Sequence, residues 1–134
     1  MTQEKTELAL KDICARVTNG VICSIYREDD EGFGWRDAEC KGYFQTNHGY
    51  EFYFEDVVAV DNIENIKPYL RSMYTMTDEE AKEYLGMLND IDKSGLMNHN
   101  FITKVVDWLD KKMFDHRGLI PRKLALEAPE GMYQ

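Results

Sequence analysis

The longest strictly aliphatic run in this 134-residue chain is Val57 to Val60, far short of the roughly 20 apolar residues that a bilayer-spanning helix needs. Membrane partners are therefore not expected, and a soluble protein is. The polar opening Met1 to Lys5 is not followed by the apolar segment of a secretory leader, which points to the cytoplasm. Cysteine is scarce. Cys14, Cys23 and Cys40 are too few and too irregular for a disulfide framework, and an odd number suits a reducing compartment. They read as small apolar core residues, because a metal site would need Cys23, Cys40 and His48 to converge with no paired spacing to start from. Only three prolines are present, and no linker, repeat or low-complexity tract interrupts the chain, so residues 1–134 are expected to form a single domain.

Acidic charge is abundant and unevenly spread. Between Glu28 and Asp92 there are 17 acidic and 5 basic residues, whereas Lys104 to Lys123 holds 6 basic and 3 acidic ones. Repulsion between carboxylates and phosphates disfavours non-specific nucleic-acid binding over most of the surface.

Periodicity supplies the elements. Leu10, Ile13, Cys14 and Val17 recur at helical spacing, with Lys11, Asp12 and Arg16 on the outward face and a stop at Asn19-Gly20. Strands are expected over Val21 to Arg27 and Trp35 to Thr46, separated by the acidic stretch Glu28 to Gly32. After the turn Asn47-His48-Gly49, Tyr50, Phe52 and Phe54 alternate with polar neighbours in a strand running on toward Val60. Loops this short leave no room for crossover helices, so an antiparallel meander is expected. Thr77-Asp78-Glu79-Glu80 predicts a capping box opening a second helix. A third is carried by Phe101, Ile102, Val105, Leu109 and Met113, with Lys104, Asp107, Asp110 and Lys111 turned outward, and ends near Gly118. Residues 122–134 read as a docked tail anchored by Leu124 and Leu126. The fold class is α+β, an antiparallel meander of three to four strands packed against about three helices.

Three groups of residues invite chemistry. Asp90, Asp92 and Ser94, followed by Gly95, match the first half of a calcium loop, but position twelve is Phe101, where the loop needs a bidentate glutamate. The same residues also make a helix terminus and a polar turn without metal. Asp30, Glu39 and Lys41 resemble the magnesium signature of restriction-endonuclease-like nucleases, which would imply a metal-dependent nuclease or phosphohydrolase. The alternative is a solvated hairpin edge. Lys111, Lys112, Arg117, Arg122 and Lys123 form the one basic concentration, fit to contact an anion or an acidic partner, or simply to complement a helix C-terminus. If the acidic partner is another copy, the result is self-association. His116 beside Asp115 lacks a nucleophile to serve, and no cofactor is expected.

The phrases Ile66-Lys67-Pro68-Tyr69-Leu70-Arg71, Ser72 to Glu80, Phe114 to Ile120 and Leu124 to Pro129 together resemble a family of short uncharacterised proteins from gut bacteria and their phages. The resemblance covers mainly residues 66–133, together with the opening Leu10 to Val17. It implies a phage or mobile-element setting and carries no activity, cofactor or catalytic residue to any position. The expectation is a non-enzymatic accessory protein that binds a protein partner through its sheet edge or its basic third. Alternatives are the nuclease above and an acidic nucleic-acid mimic built on Glu28 to Asp92.

Overall fold

A computed structural model describes residues 1–29, 32–55, 59–93 and 99–133, except for the side chains of 28, 29, 91–93 and 99–101. Helix α1 (Gln3–Arg16) starts under Thr2, whose hydroxyl accepts from the Lys5 amide at 3.2 Å, and runs through one tight turn to Gly20 at φ 79°. The chain continues through β1 (Ile22–Asp29), β2 (Gly32–Thr46), β3 (Gly49–Phe54), β4 (Ala59–Val60) and β5 (Ile66–Leu70). Then come α2 (Asp78–Lys93), α3 (His99–Lys111) and β6 (Leu126–Glu127). The six strands form one sheet in the order β4-β3-β2-β1-β5-β6, antiparallel except for β5 with β6.

The expected α+β class and three helices are observed, with more strands than the expected three to four. The meander accounts for β1 to β4, but β3 stops at Phe54, and Ala59 and Val60 fold back onto Tyr53 and Phe52 instead of prolonging it. This reversal returns Val60 to the core at 7% exposure. Strand β5 joins beside β1 despite Pro68, and β6 meets it only past the proline, at Tyr69 and Leu70.

Alternation sorts the sheet residues. Val21, Cys23, Ile25, Ala38, Cys40, Phe52, Phe54 and Ile66 are buried together with Ile13 of α1, and Leu10, Cys14 and Val17 flank them. A bulge between Cys40 and Gly42 reverses the parity of β2, so Tyr43 turns to the helix side and Phe44 to the other. Burial pushes the Cys40 thiol up to about 11 and Cys23 well above its ordinary value, as suits inert packing residues. Helices α2 and α3 pack on each other through Val105, Leu109, Tyr84 and Met87, joined by Phe114.

One helix terminus follows the expected pattern and another departs from it. The capping box is formed: the Glu80 amide donates to Thr77 Oγ1 at 3.2 Å, and the Thr77 amide donates to Glu80 Oε1 at 3.0 Å. Helix α3, however, ends well before Gly118, at Lys111, and Met113 two residues on adopts φ 63°. The Phe114 amide reaches back to Leu109 O and the Met113 amide to Asp110 O, a Schellman closure with methionine in the place glycine usually takes. Burial of the Met113 side chain to 1% exposure offsets the backbone cost.

Asp12, Arg16 and Asp110, expected on outward faces, are all buried. They neutralise one another across segments distant in sequence. Arg16 donates to Asp12 through Nε and Nη2, each at 3.0 Å, and to Phe114 O at 2.7 Å. Arg117 bridges Asp12 and Asp110 at 2.8 Å each, and His116 Nε2 lies 2.8 Å from Asp110. Burial works to raise the Asp110 carboxyl, but the hydrogen bonds from His116 and Arg117 outweigh it and hold it below its ordinary value. This cluster ties α1 to the end of α3.

Tyr133 closes the sheet from the far end of the chain. In the β1–β5 register, Ile22 would next face Tyr69, where β5 has just passed its proline. The Tyr133 hydroxyl sits there instead, accepting from the Ile22 amide at 2.9 Å and donating to Tyr69 O at 2.7 Å.

Candidate functional site

Helix α1 covers one face of the sheet. On the opposite face, Tyr26, Trp35, Asp37, Glu39, Phe44, Glu51, Tyr53, Glu55, Lys67 and Tyr69 join no core cluster among the described residues. Trp35 is 48% and Phe44 64% exposed, large areas for aromatic rings on strand positions. Tyr26 and Trp35 face each other across β1 and β2 with centroids 5.6 Å apart, and Phe44 meets Tyr53 edge-on at 5.4 Å.

Carboxylates are interleaved with these rings. Asp37 lies two residues beyond Trp35 and accepts from the Tyr69 hydroxyl at 2.8 Å. Partial burial, helped by that bond, raises Tyr69 above the usual phenol range. Glu51 is the cross-strand partner of Phe44, and Glu55 accepts from the Glu39 amide at 3.2 Å. The cations of this face are Lys41, bonded to Glu39, and Lys67, whose ammonium lies 5.6 Å from the Trp35 ring centroid. Among the described residues, four carboxylates thus stand against two ammonium groups, both already engaged within the chain.

The residues singled out from sequence scatter around this face. Glu39 and Lys41 do come together on it, while Asp30 lies outside the described residues. Asp90 and Asp92 fall within α2 and Ser94 lies outside the described residues. Among the described residues, no three His, Cys, Asp or Glu side chains gather as metal ligands, and His48 sits exposed on the β2–β3 turn away from the buried thiols.

The basic concentration is divided. Arg117 belongs to the buried cluster, and Arg122 donates to the carbonyls of Arg117 and Gly118 at 3.4 and 3.2 Å. Lys123 is exposed elsewhere, at φ 61°. Lys111 and Lys112 line a cavity of about 590 Å³ between the start of α2, the end of α3 and residues 128–133. Glu79, Glu130 and the paired Arg71 and Glu80 line the same walls, so its charges compensate. His116 turns to Asp110, and Asp115 accepts from the Leu119 and Ile120 amides at 2.7 and 2.9 Å, fixing the turn.

Sequence reasoning missed the open face as a unit, although the alternation of Trp35, Asp37 and Glu39 and of Glu51, Tyr53 and Glu55 was there to read. Comparison with known protein families, curated proteins and solved structures finds no match to the chain.

Proposed function

We propose that the chain is a non-enzymatic interaction protein of the cell interior whose uncovered sheet face docks a basic surface of a protein partner. One observation carries the reading: Trp35 and Phe44 are exposed on a face where, among the described residues, carboxylates outnumber cations two to one. Aromatic anchors supply contact area and the carboxylates supply steering and selectivity. The docking element moves from the sheet edge to its face, because the strands flanking the sheet, β4 and β6, are each two residues long. The resemblance to phage and mobile-element proteins supports an accessory role in that setting.

Site-specific photo-crosslinking tests the reading. A crosslinker at position 44 should trap a basic protein in cells, and a crosslinker at the exposed Lys11 on α1 should not. The adduct should vanish in the combined variant Asp37→Asn, Glu51→Gln, Glu55→Gln. Equal trapping from both positions, or an adduct indifferent to the three substitutions, refutes it. The acidic nucleic-acid mimic is the narrower form of the same reading, since Asp37, Glu39, Glu51 and Glu55 share one face. Loss of the adduct on adding duplex DNA would single it out. A nuclease draws no comparable support, because the charged groups of Glu39 and Lys41 satisfy each other.

A further inference from the structure

We infer that the uncovered face selects arginine over lysine, and that its occupant is an extended, arginine-bearing segment of the partner protein; this rests on the reading above. An ammonium is a compact, strongly hydrated charge. A guanidinium is a weakly hydrated plane that can lie over a ring while its edge forks onto a carboxylate. A surface that sets rings beside carboxylates therefore suits arginine twice over.

The chain holds an arginine in this way elsewhere. Arg71 lies with its guanidinium carbon 4.2 Å from the Phe114 ring centroid, while Nη1 and Nη2 donate to the two oxygens of Glu80 at 2.9 and 2.7 Å. The open face repeats the ingredients at two places, and among the described residues no arginine is seated on Trp35 or Phe44. Trp35, packed by Tyr26, has Asp37 next along the same strand face, and Phe44, packed by Tyr53, has Glu51 across the ladder. The ammonium of Lys67 near Trp35 shows that this ring already serves as a seat for a cation.

Trp35 and Phe44 are at most about 30 Å apart along β2, at the usual rise per strand residue. An extended segment of about nine residues covers that span, so arginines near both of its ends can engage both seats. Opposite charge decides the class of occupant. The face presents acids to be matched, and its own two cations are engaged.

Fluorescence anisotropy with labelled peptides of about ten residues tests the inference. One peptide carries paired arginines at both ends of a Gly/Ser spacer, and another carries lysines at the same positions. The arginine peptide should bind about tenfold more tightly than the lysine peptide. Trp35→Ala and Phe44→Ala, each checked for an unchanged melting temperature, should each cut that preference to about twofold or less. Lys67→Ala should tighten arginine binding by removing a competitor for the ring. Equal affinity for the two peptides, lost in Asp37→Asn with Glu51→Gln, overturns arginine selectivity and leaves a basic partner standing. No binding by either peptide, even at low salt, sinks both readings. Binding that survives the carboxylate variant places the peptide elsewhere and overturns the site. A concentration-dependent dimer in sedimentation, dissociated by the arginine peptide, would make the occupant a second copy and overturn the assignment to a partner.

Discussion

Asp12→Asn removes one charge from a cluster in which Asp12 and Arg16 are both fully buried. The carboxylate accepts three hydrogen bonds, from Nε and Nη2 of Arg16 and from Nη1 of Arg117. In the variant, Arg16 keeps Phe114 O at 2.7 Å and a more distant Asp110 at 3.6 Å, while Asp110 alone must balance two guanidinium groups. Among the described residues, Nη1 of Arg16 has no partner to begin with, so the cluster has little slack. Breaking a buried pair from one side costs about 3–5 kcal/mol, because the remaining charge stays desolvated without compensation. For a chain of this length that is a fall in melting temperature of about 10 °C or more, to be read by thermal and urea unfolding together. Adding Arg16→Met removes the stranded cation, so the double variant should be more stable than Asp12→Asn alone. A loss under about 1 kcal/mol for Asp12→Asn, or a double variant less stable than the single one, would refute the reasoning.

Three further outcomes follow from the same contacts. Tyr133→Phe strands the Ile22 amide and Tyr69 O at the closure of β1 to β5 and should cost about 1–3 kcal/mol in urea unfolding; an unchanged midpoint would show that the hydroxyl closes nothing. The hydrogen bond from Arg71 is the main influence holding Glu80 down to about 2, below its ordinary 4.5, so its stabilising share is complete above about pH 4.5 and fades as pH falls toward 2. The stability gap between wild type and Glu80→Gln should therefore narrow over that window, and a constant gap contradicts the linkage. Thr77→Ala removes the other half of the capping box and should cost about 1 kcal/mol by thermal melting, a neutral result denying the cap any role.

Local signals were legible in the sequence and non-local ones were not. The Thr77 to Glu80 box formed as read because cap chemistry needs only neighbouring residues. Likewise Phe52 and Phe54 are buried where the alternation put them, since strand parity is a local property. Helix α1 extends back to Gln3, well before its apolar stripe begins, because the Thr2 cap sets that end. The closure of α3 past Lys111 by a left-handed Met113 escaped notice because methionine carries no turn signal, and burial rather than propensity holds it there. Asp12 and Asp110 read as outward residues because Arg117, which joins them, lies 105 positions from the first and beyond the end of α3 from the second. The open face stayed hidden for a related reason: alternation assigns residues to two sides, but only packing decides which side a helix covers. Strand β5 was obscured by its proline, tolerated because β6 pairs only with the residues after it.

Tyr133 also bears on how the protein is made. Its hydroxyl meets Ile22 across 111 positions of chain, whereas the hairpins from β1 to β3 pair residues that leave the ribosome in quick succession. During synthesis the ribbon can zip early, but its junction with β5 stays unsealed until Tyr133 has cleared the exit tunnel. The ribbon thus waits on a fastener made long after the strands it joins.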